Sequence, residues 1–237
     1  MVRTLLTGAT GTLGTALRPR LTAAGHDLRA ASRSPLAADS DGEAGVEWHA
    51  VDLADSTGLE AAVEGVDVVV HAATAPQGDT EAVDVEGTER LLAAADDAGV
   101  SNVVYPSIVG VDDIPYSYYE CKRRAEEAVE ASSVPGTILR ATQFHAFVDE
   151  MLGLVSWLPV WPLPTDVRLQ PVDVGTVADA LVAHATPDAS GRVPPVGGPA
   201  VLTVGEIARA YRSARGKRRP IVRFPLPGAV ARGFRAG

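Results

Sequence analysis

Short apolar runs alternate with longer amphipathic stretches over the first 140 or so residues of this chain. Val2-Arg3-Thr4-Leu5-Leu6 has the length and composition of a buried strand, and a helical stretch follows it to Ala24, with a stop at Gly25. The same reading predicts strands over residues 26–32, 46–50, 66–71, 101–105 and 136–139. It predicts helices over 56–64, 80–98 (ending at Gly99) and 116–131. Such alternation implies parallel strands, right-handed crossovers and helices on both faces: an α/β, Rossmann-like doubly wound sheet. Beyond residue 140 the pattern becomes irregular. The run Trp157-Leu158-Pro159-Val160-Trp161-Pro162-Leu163-Pro164 cannot be regular helix, because its prolines remove donors and clash with the preceding turn. It reads as an aromatic loop over a cleft, and equally well as core packing. Residues 172–185 read as a helix returning to the main sheet. The expected organisation is a core of residues 1–140, rejoined by 171–186, and a small irregular lobe over 141–237 that is not an independent domain.

A chain of 237 residues is long enough for one well-buried domain, and its 22% charged and 46% hydrophobic composition is ordinary for a globular protein. The net charge of −9 argues against a nucleic-acid partner, since a phosphate backbone requires a basic face. The one basic cluster, Arg215-Gly216-Lys217-Arg218-Arg219, is short and reads as a solvated turn. The lone Cys121 excludes an intramolecular disulfide and any thiolate metal cluster. No secretion signal and no apolar run near the ~20 residues that span a bilayer are visible, so a soluble cytoplasmic protein without membrane partners is expected.

Two local patterns carry chemistry. The first is Thr7-Gly8-Ala9-Thr10-Gly11-Thr12-Leu13-Gly14, a glycine-rich turn between the first strand and the first helix. Glycines let the backbone approach a pyrophosphate, while the helix N-terminus offers free N–H groups and a positive dipole end. Gly8, Thr10, Gly11, Thr12, Leu13 and Gly14 therefore form a candidate dinucleotide cradle, although the spacing is Gly-x-x-Gly-x-x-Gly. The second is Tyr118-x-x-x-Lys122. Only two of the 21 basic residues are lysines, so a lysine four residues after a tyrosine stands out. On a helix the two side chains lie on one face, where an ammonium favours the charged form of a phenol and lowers its pKa.

Together with Tyr105-Pro106-Ser107, these motifs resemble the short-chain dehydrogenase/reductase superfamily, most closely its extended and atypical branch, which includes the NmrA-like NAD(P)H-binding proteins. The resemblance covers residues 1 to about 145. It implies Ser107, Tyr118 and Lys122 as catalytic residues, with Ser107 on the loop Ser107-Ile108-Val109-Gly110. Tyr118 would donate a proton, Lys122 would hold the nicotinamide ribose, and Ser107 would bond the substrate oxygen. It also places Asp52 and Leu53 near the adenine, and the turn Ala72-Ala73-Thr74 beside the adenine ribose. Gln143, Phe144 and His145 fall at the nicotinamide end and cleft wall. Asp84 stands where members of the branch carry Asn, and His71 reads as structural. The second strand ends Ala30-Ala31-Ser32-Arg33-Ser34 without an acid for a ribose 2′-OH. Ser32 and Arg33 therefore favour NADP(H) over NAD(H), Arg33 having the fork for a 2′-phosphate. Three function classes stay open: an oxidoreductase on a small carbonyl or alcohol, a non-catalytic NADP(H)-sensing regulator, and an epimerase or dehydratase. A monomer or homodimer is expected.

Overall fold

A computed structural model describes residues 1–35 and 45–236. The first half runs β1 (Arg3–Thr7), α1 (Thr12–Ala23), β2 (Asp27–Ser32), β3 (Glu47–Ala50), α2 (Leu59–Val63) and β4 (Val68–His71). A π-helical turn (Glu81–Glu86) then leads directly into α3 (Gly87–Asp97), followed by β5 (Asn102–Ile108), α4 (Ser117–Ala131) and β6 (Gly136–Ala141). The remainder holds α5 (His145–Gly153), β7 (Trp161–Leu163), β8 (Arg168–Leu169), α6 (Val174–Ala183), β9 (Gly191–Arg192), β10 (Leu202–Thr203), α7 (Val204–Ala214), β11 (Ile221–Arg223) and α8 (Ala229–Ala236). Seven parallel strands form the main sheet in the order β3-β2-β1-β4-β5-β6-β9. The order reverses at β1, which is where a doubly wound sheet opens a crevice at its carboxyl edge.

Period-two alternation divides the core between the two faces. Leu5, Val69, Val103 and Ile138 point to one side and pack against Leu59 of α2, Leu91 of α3 and Val129 of α4. Leu6, Val68, Val70, Val104 and Leu139 point to the other and meet Leu17 and Leu21 of α1 and Leu181 of α6. With both faces covered, β4 reads Val-Val-Val-His without a polar face, and all four residues are buried. The helix at 174–183 starts two residues later than predicted, because Asp173 caps it by accepting the Thr176 amide at 3.1 Å.

Several boundaries differ from the sequence reading for identifiable reasons. β5 continues through Pro106 and Ser107 to Ile108, so Ser107 sits in a strand rather than on a loop. Pro106 lacks an N–H yet stays in register opposite Leu139. The helix predicted from residue 56 begins only at Leu59, since Ser56 and Gly58 both take positive φ. The 80–98 helix is split by the π turn. The aromatic run 157–164 divides. Trp161 is fully buried with Leu163 in a separate core beneath β8 and α7, whereas Trp157 is 74% exposed.

Two glycines fix the position of α1 against the sheet. Gly8 has φ +66°, and a Cβ there would stand 2.6 Å from both Ala72 O and Ala73 N. A Cβ on Gly14 would overlap Gly8 O and stand 2.7 Å from Ala9 Cα. These neighbours are backbone and cannot swing away. Gly14→Ala is expected to lower stability by about 1–3 kcal/mol through overpacking. Gly153→Ala, at the end of α5 with nothing within 4 Å, serves as the control and should not destabilise. Thermal unfolding of the two variants checks the contrast.

Candidate active site

The first helix presents an uncapped N-terminus to the crevice. Gly11 is its N-cap, makes no side-chain cap bond, and no acidic residue occupies the first turn. The amides of Thr12 and Leu13 therefore have no intrahelical acceptor and form an anion site in the sense expected of a nucleotide-binding turn. The turn is tied to the sheet by Ala9 N–H donating to Ala31 O (3.1 Å) and by Thr10 Oγ1 meeting Ser32 Oγ (3.0 Å). Arg33 follows, exposed, at the rim.

One open cavity of about 980 Å³ runs along the carboxyl ends of the strands. Gly8, Thr10, Gly11, Thr12 and Leu13 line it, as do Ser32, Arg33, Asp52, Leu53 and the Ala72-Ala73-Thr74 turn. Ser107, Tyr118 and Lys122 line the same space. Gly14 does not; it lies beneath Gly8 and serves packing. Gln143 and Phe144 also face the cavity, whereas His145 is exposed outside it at the start of α5. Trp157 and Trp161 do not face it, so the aromatic run contributes only Pro164.

A buried polar chain stands behind this wall. Asp84, in the π turn, is 1% exposed. Its Oδ2 accepts the Ala75 amide at 2.9 Å, and its Oδ1 accepts the Thr74 hydroxyl at 2.6 Å. Thr74 has one proton and gives it to the carboxylate, so the 2.9 Å contact between Thr74 Oγ1 and Tyr118 Oη is donated by the phenol. Lys122 Nζ lies 3.8 Å from Asp84 Oδ1 and 4.1 Å from the centre of the Tyr105 ring, where cation–π attraction adds to the ion pair. Burial lowers the Lys122 pKa to about 8, with the Asp84 and Glu126 carboxylates opposing the shift. The Tyr118 phenol is shifted upward, first by burial and then by Asp84, against the lowering effect of the Thr74 bond. The expectation that Lys122 lowers the Tyr118 pKa is thus corrected. Burial of the phenol sets the sign of its shift, and the ammonium faces the Asp84 carboxylate. Asp84 is the hub that sequence reading undervalued; its only signal was an acid where the related branch carries Asn. Ser107 Oγ is buried and has no hydrogen-bond partner among the described residues.

His71 closes the chain at its other end. Thr88 Oγ1 donates to Asp84 O at 2.7 Å, so the 2.9 Å contact with His71 Nε2 must be donated by the ring. His71 Nδ1 then accepts from Thr7 Oγ1 at 2.7 Å. The ring is neutral and fully bonded, a structural histidine as the sequence reading has it.

The C-terminal segment supplies cavity wall that sequence reading missed. Leu226, Val230 and Phe234 line the space, and α8 docks through Phe234, whose ring lies 5.9 Å from that of Tyr119. The four-residue spacing of Val230 and Phe234 was the available signal.

A parallel sheet that reverses at β1, with a glycine cradle at the reversal, is the arrangement of a dinucleotide-binding protein. A model of the NAD(P)H-binding family matches residues 8–151, and the chain belongs to that family, one of NAD(P)H-dependent oxidoreductases. Among curated relatives, the (4-alkanoyl-5-oxo-2,5-dihydrofuran-3-yl)methyl phosphate reductase of Streptomyces griseus is 34% identical over 212 residues, which cover 85% of this chain and 70% of that enzyme. Two solved structures share the fold. MoeE5 in complex with UDP-glucose and NAD has a TM-score of 0.79 at 22% identity, covering 97% of this chain and 86% of its own. The NADPH complex of the Escherichia coli quinone oxidoreductase QOR2 has a TM-score of 0.78 at 21% identity, covering 94% and 78%. Among the described residues no helix is long and apolar enough to cross a membrane.

The neutral His71 makes a pH prediction. Burial, followed by the Lys122 charge, lowers its pKa from 6.5 to about 3. Between these values the unfolded chain binds more protons than the folded one, so stability is full above pH 6.5 and falls as the pH drops toward 3. Thermal unfolding followed from pH 7 to pH 4 should show a falling Tm, and the fall should be shallower in His71→Asn, which removes that proton site.

Proposed function

We propose that the chain is an NADP(H)-dependent reductase acting on a small carbonyl substrate through Ser107, Tyr118 and Lys122. The observation that carries this reading is the buried, unpartnered Ser107 Oγ in the cavity shared by Tyr118 and the glycine cradle. A hydroxyl left without a partner in a closed wall is costly unless a ligand oxygen meets it. The bound dinucleotide supplies hydride chemistry, and the chain's own groups handle the oxygen. Ser107 donates to the substrate carbonyl, fixing it and stabilising the charge that develops there. Tyr118 gives that oxygen its proton; with its pKa shifted upward, the phenol is held protonated at neutral pH, as an acid requires. Lys122, buried on the same face of α4, is placed to hold ribose hydroxyls. The amides of Thr12 and Leu13 take the pyrophosphate, Asp52 and Leu53 border the adenine, and Arg33 takes the 2′-phosphate. No acid among residues 30–35 competes for a ribose 2′-OH, which favours NADP(H) over NAD(H).

Tyr118→Phe removes one oxygen and keeps the ring, so NADPH affinity should hold while turnover falls by about 10²–10⁴. Lys122→Ala should lower turnover and cofactor affinity together, and Lys122→Arg should restore activity only in part. A sensing regulator would bind NADPH with no turnover in the unmodified protein and no response to Tyr118→Phe.

Arg33→Ala tests the cofactor choice separately. It should weaken NADPH binding by about 1.5–3 kcal/mol, the scale of a charge-assisted hydrogen bond, and leave NADH binding nearly unchanged. Fluorescence titration of both dinucleotides gives the answer, and equal losses for the two would remove Arg33 from the site.

A further inference from the structure

We propose that the substrate half of the cavity takes an uncharged, largely apolar carbonyl compound and rejects phosphorylated or nucleotide-linked ones. The inference rests on the reductase reading and deepens it. Its basis is the sign and chemistry of the cavity wall. Among the described lining residues, only Arg33 and Lys122 are Lys or Arg. Arg33 stands at the end of β2, beside the dinucleotide cradle, and Lys122 is buried against Asp84 and the Tyr105 ring. Away from the cradle the wall includes Phe144, Phe147, Met151, Leu226, Val230 and Phe234, with Gln77, Thr142 and Gln143 as its neutral polar side chains. The ionisable carboxylate set among them is Glu150, an acid, which accepts a bond from Gln77 Nε2 at 3.1 Å.

A phosphate moved into such a wall loses its water, meets no guanidinium or ammonium, and faces a carboxylate. The N-terminus of α5 borders this wall, and the first of its amides, His145 N, already donates to Val172 O at 3.1 Å; the Arg235 guanidinium behind Leu226 is engaged by Asp166 and by the Leu226 carbonyl. The mouth is also unusually apolar for a surface. Phe147 is 51% exposed, Tyr116 41% and Leu226 40%, and all three line the cavity. An apolar ligand would cover them and so remove their contact with water. In the reaction, hydride adds to the carbonyl carbon and the Tyr118 proton to its oxygen; the carbonyl compound is reduced to an alcohol as the nicotinamide is oxidised.

The test uses the full chain saturated with NADP⁺, titrated calorimetrically with 2-pentanone, 2-heptanone, 2-nonanone, the ω-phosphate of 2-nonanone, and UDP-glucose. Affinity should rise about three- to fourfold per added methylene along the neutral series. The phosphorylated nonanone should bind at least tenfold more weakly than its neutral partner, and UDP-glucose should not bind. Glu150→Lys, which reverses the sign of the wall, should narrow the tenfold gap to threefold or less. Equal or tighter binding of the phosphate or of UDP-glucose overturns the proposal, as does failure of every neutral ketone to bind. NADPH oxidation measured beside it separates the two readings. Neutral ketones that bind with the predicted preference but are never reduced uphold the apolar site and sink the reductase; turnover of phosphorylated substrates alone does the reverse.

Discussion

Burying the Lys122 ammonium is the constraint around which this crevice is built. A charge removed from water must be met by opposite charge and by well-placed dipoles, or its pKa falls until it is neutral. Here the answer is divided. Asp84 at 3.8 Å and the face of Tyr105 at 4.1 Å hold the charge in part, and the lysine still titrates near pH 8. Asp84 in turn needs its own donors, which come from Thr74 and Ala75 on the segment after β4. The lysine on α4 therefore requires the π turn before α3 and the loop after β4 to be where they are. Breaking one partner of such a buried set leaves the other uncompensated, so these segments are fixed together.

That coupling links fold to chemistry. The loop that carries Thr74 also carries Ala72 and Ala73, which lie so close to Gly8 that no Cβ fits between them. The chain from Thr7 through His71 and Thr88 reaches the Asp84 carbonyl. The glycine cradle at one end of the crevice and the Tyr118 hydroxyl at the other are thus held by a single bonded network. A small shift at either end has to be shared by the groups between them.

Much of this was legible in the sequence because it rests on local physics. Alternating apolar runs, a glycine turn ahead of a helix, and a lysine four residues after a tyrosine each have a short-range cause, and the main sheet and the cavity lining follow from them. What stayed hidden depends on distant contacts. The strand read as ending at residue 105 left Ser107 on a loop, although the pairing of β5 with β6 carries the strand through it. Helical spacing showed one helix over 80–98, while the demand that Asp84 face Thr74 and Lys122 accompanies a π turn. The phenol shift came out with the opposite sign, since spacing shows that Tyr118 and Lys122 share a face but not that the phenol is buried, which raises its pKa. The wall from α8 lies more than one hundred residues from Tyr118 in sequence, and only the folded chain brings the two together.

The most direct measurement is a crystal structure of the protein grown with NADP⁺. The account predicts the pyrophosphate on the amides of Thr12 and Leu13, the 2′-phosphate against Arg33, and the nicotinamide ribose on Lys122 with Ser107 and Tyr118 facing one open side of the nicotinamide. A dinucleotide bound away from the Gly8–Gly14 turn, or a nicotinamide out of reach of Tyr118 while Lys122 stays on Asp84, would contradict it.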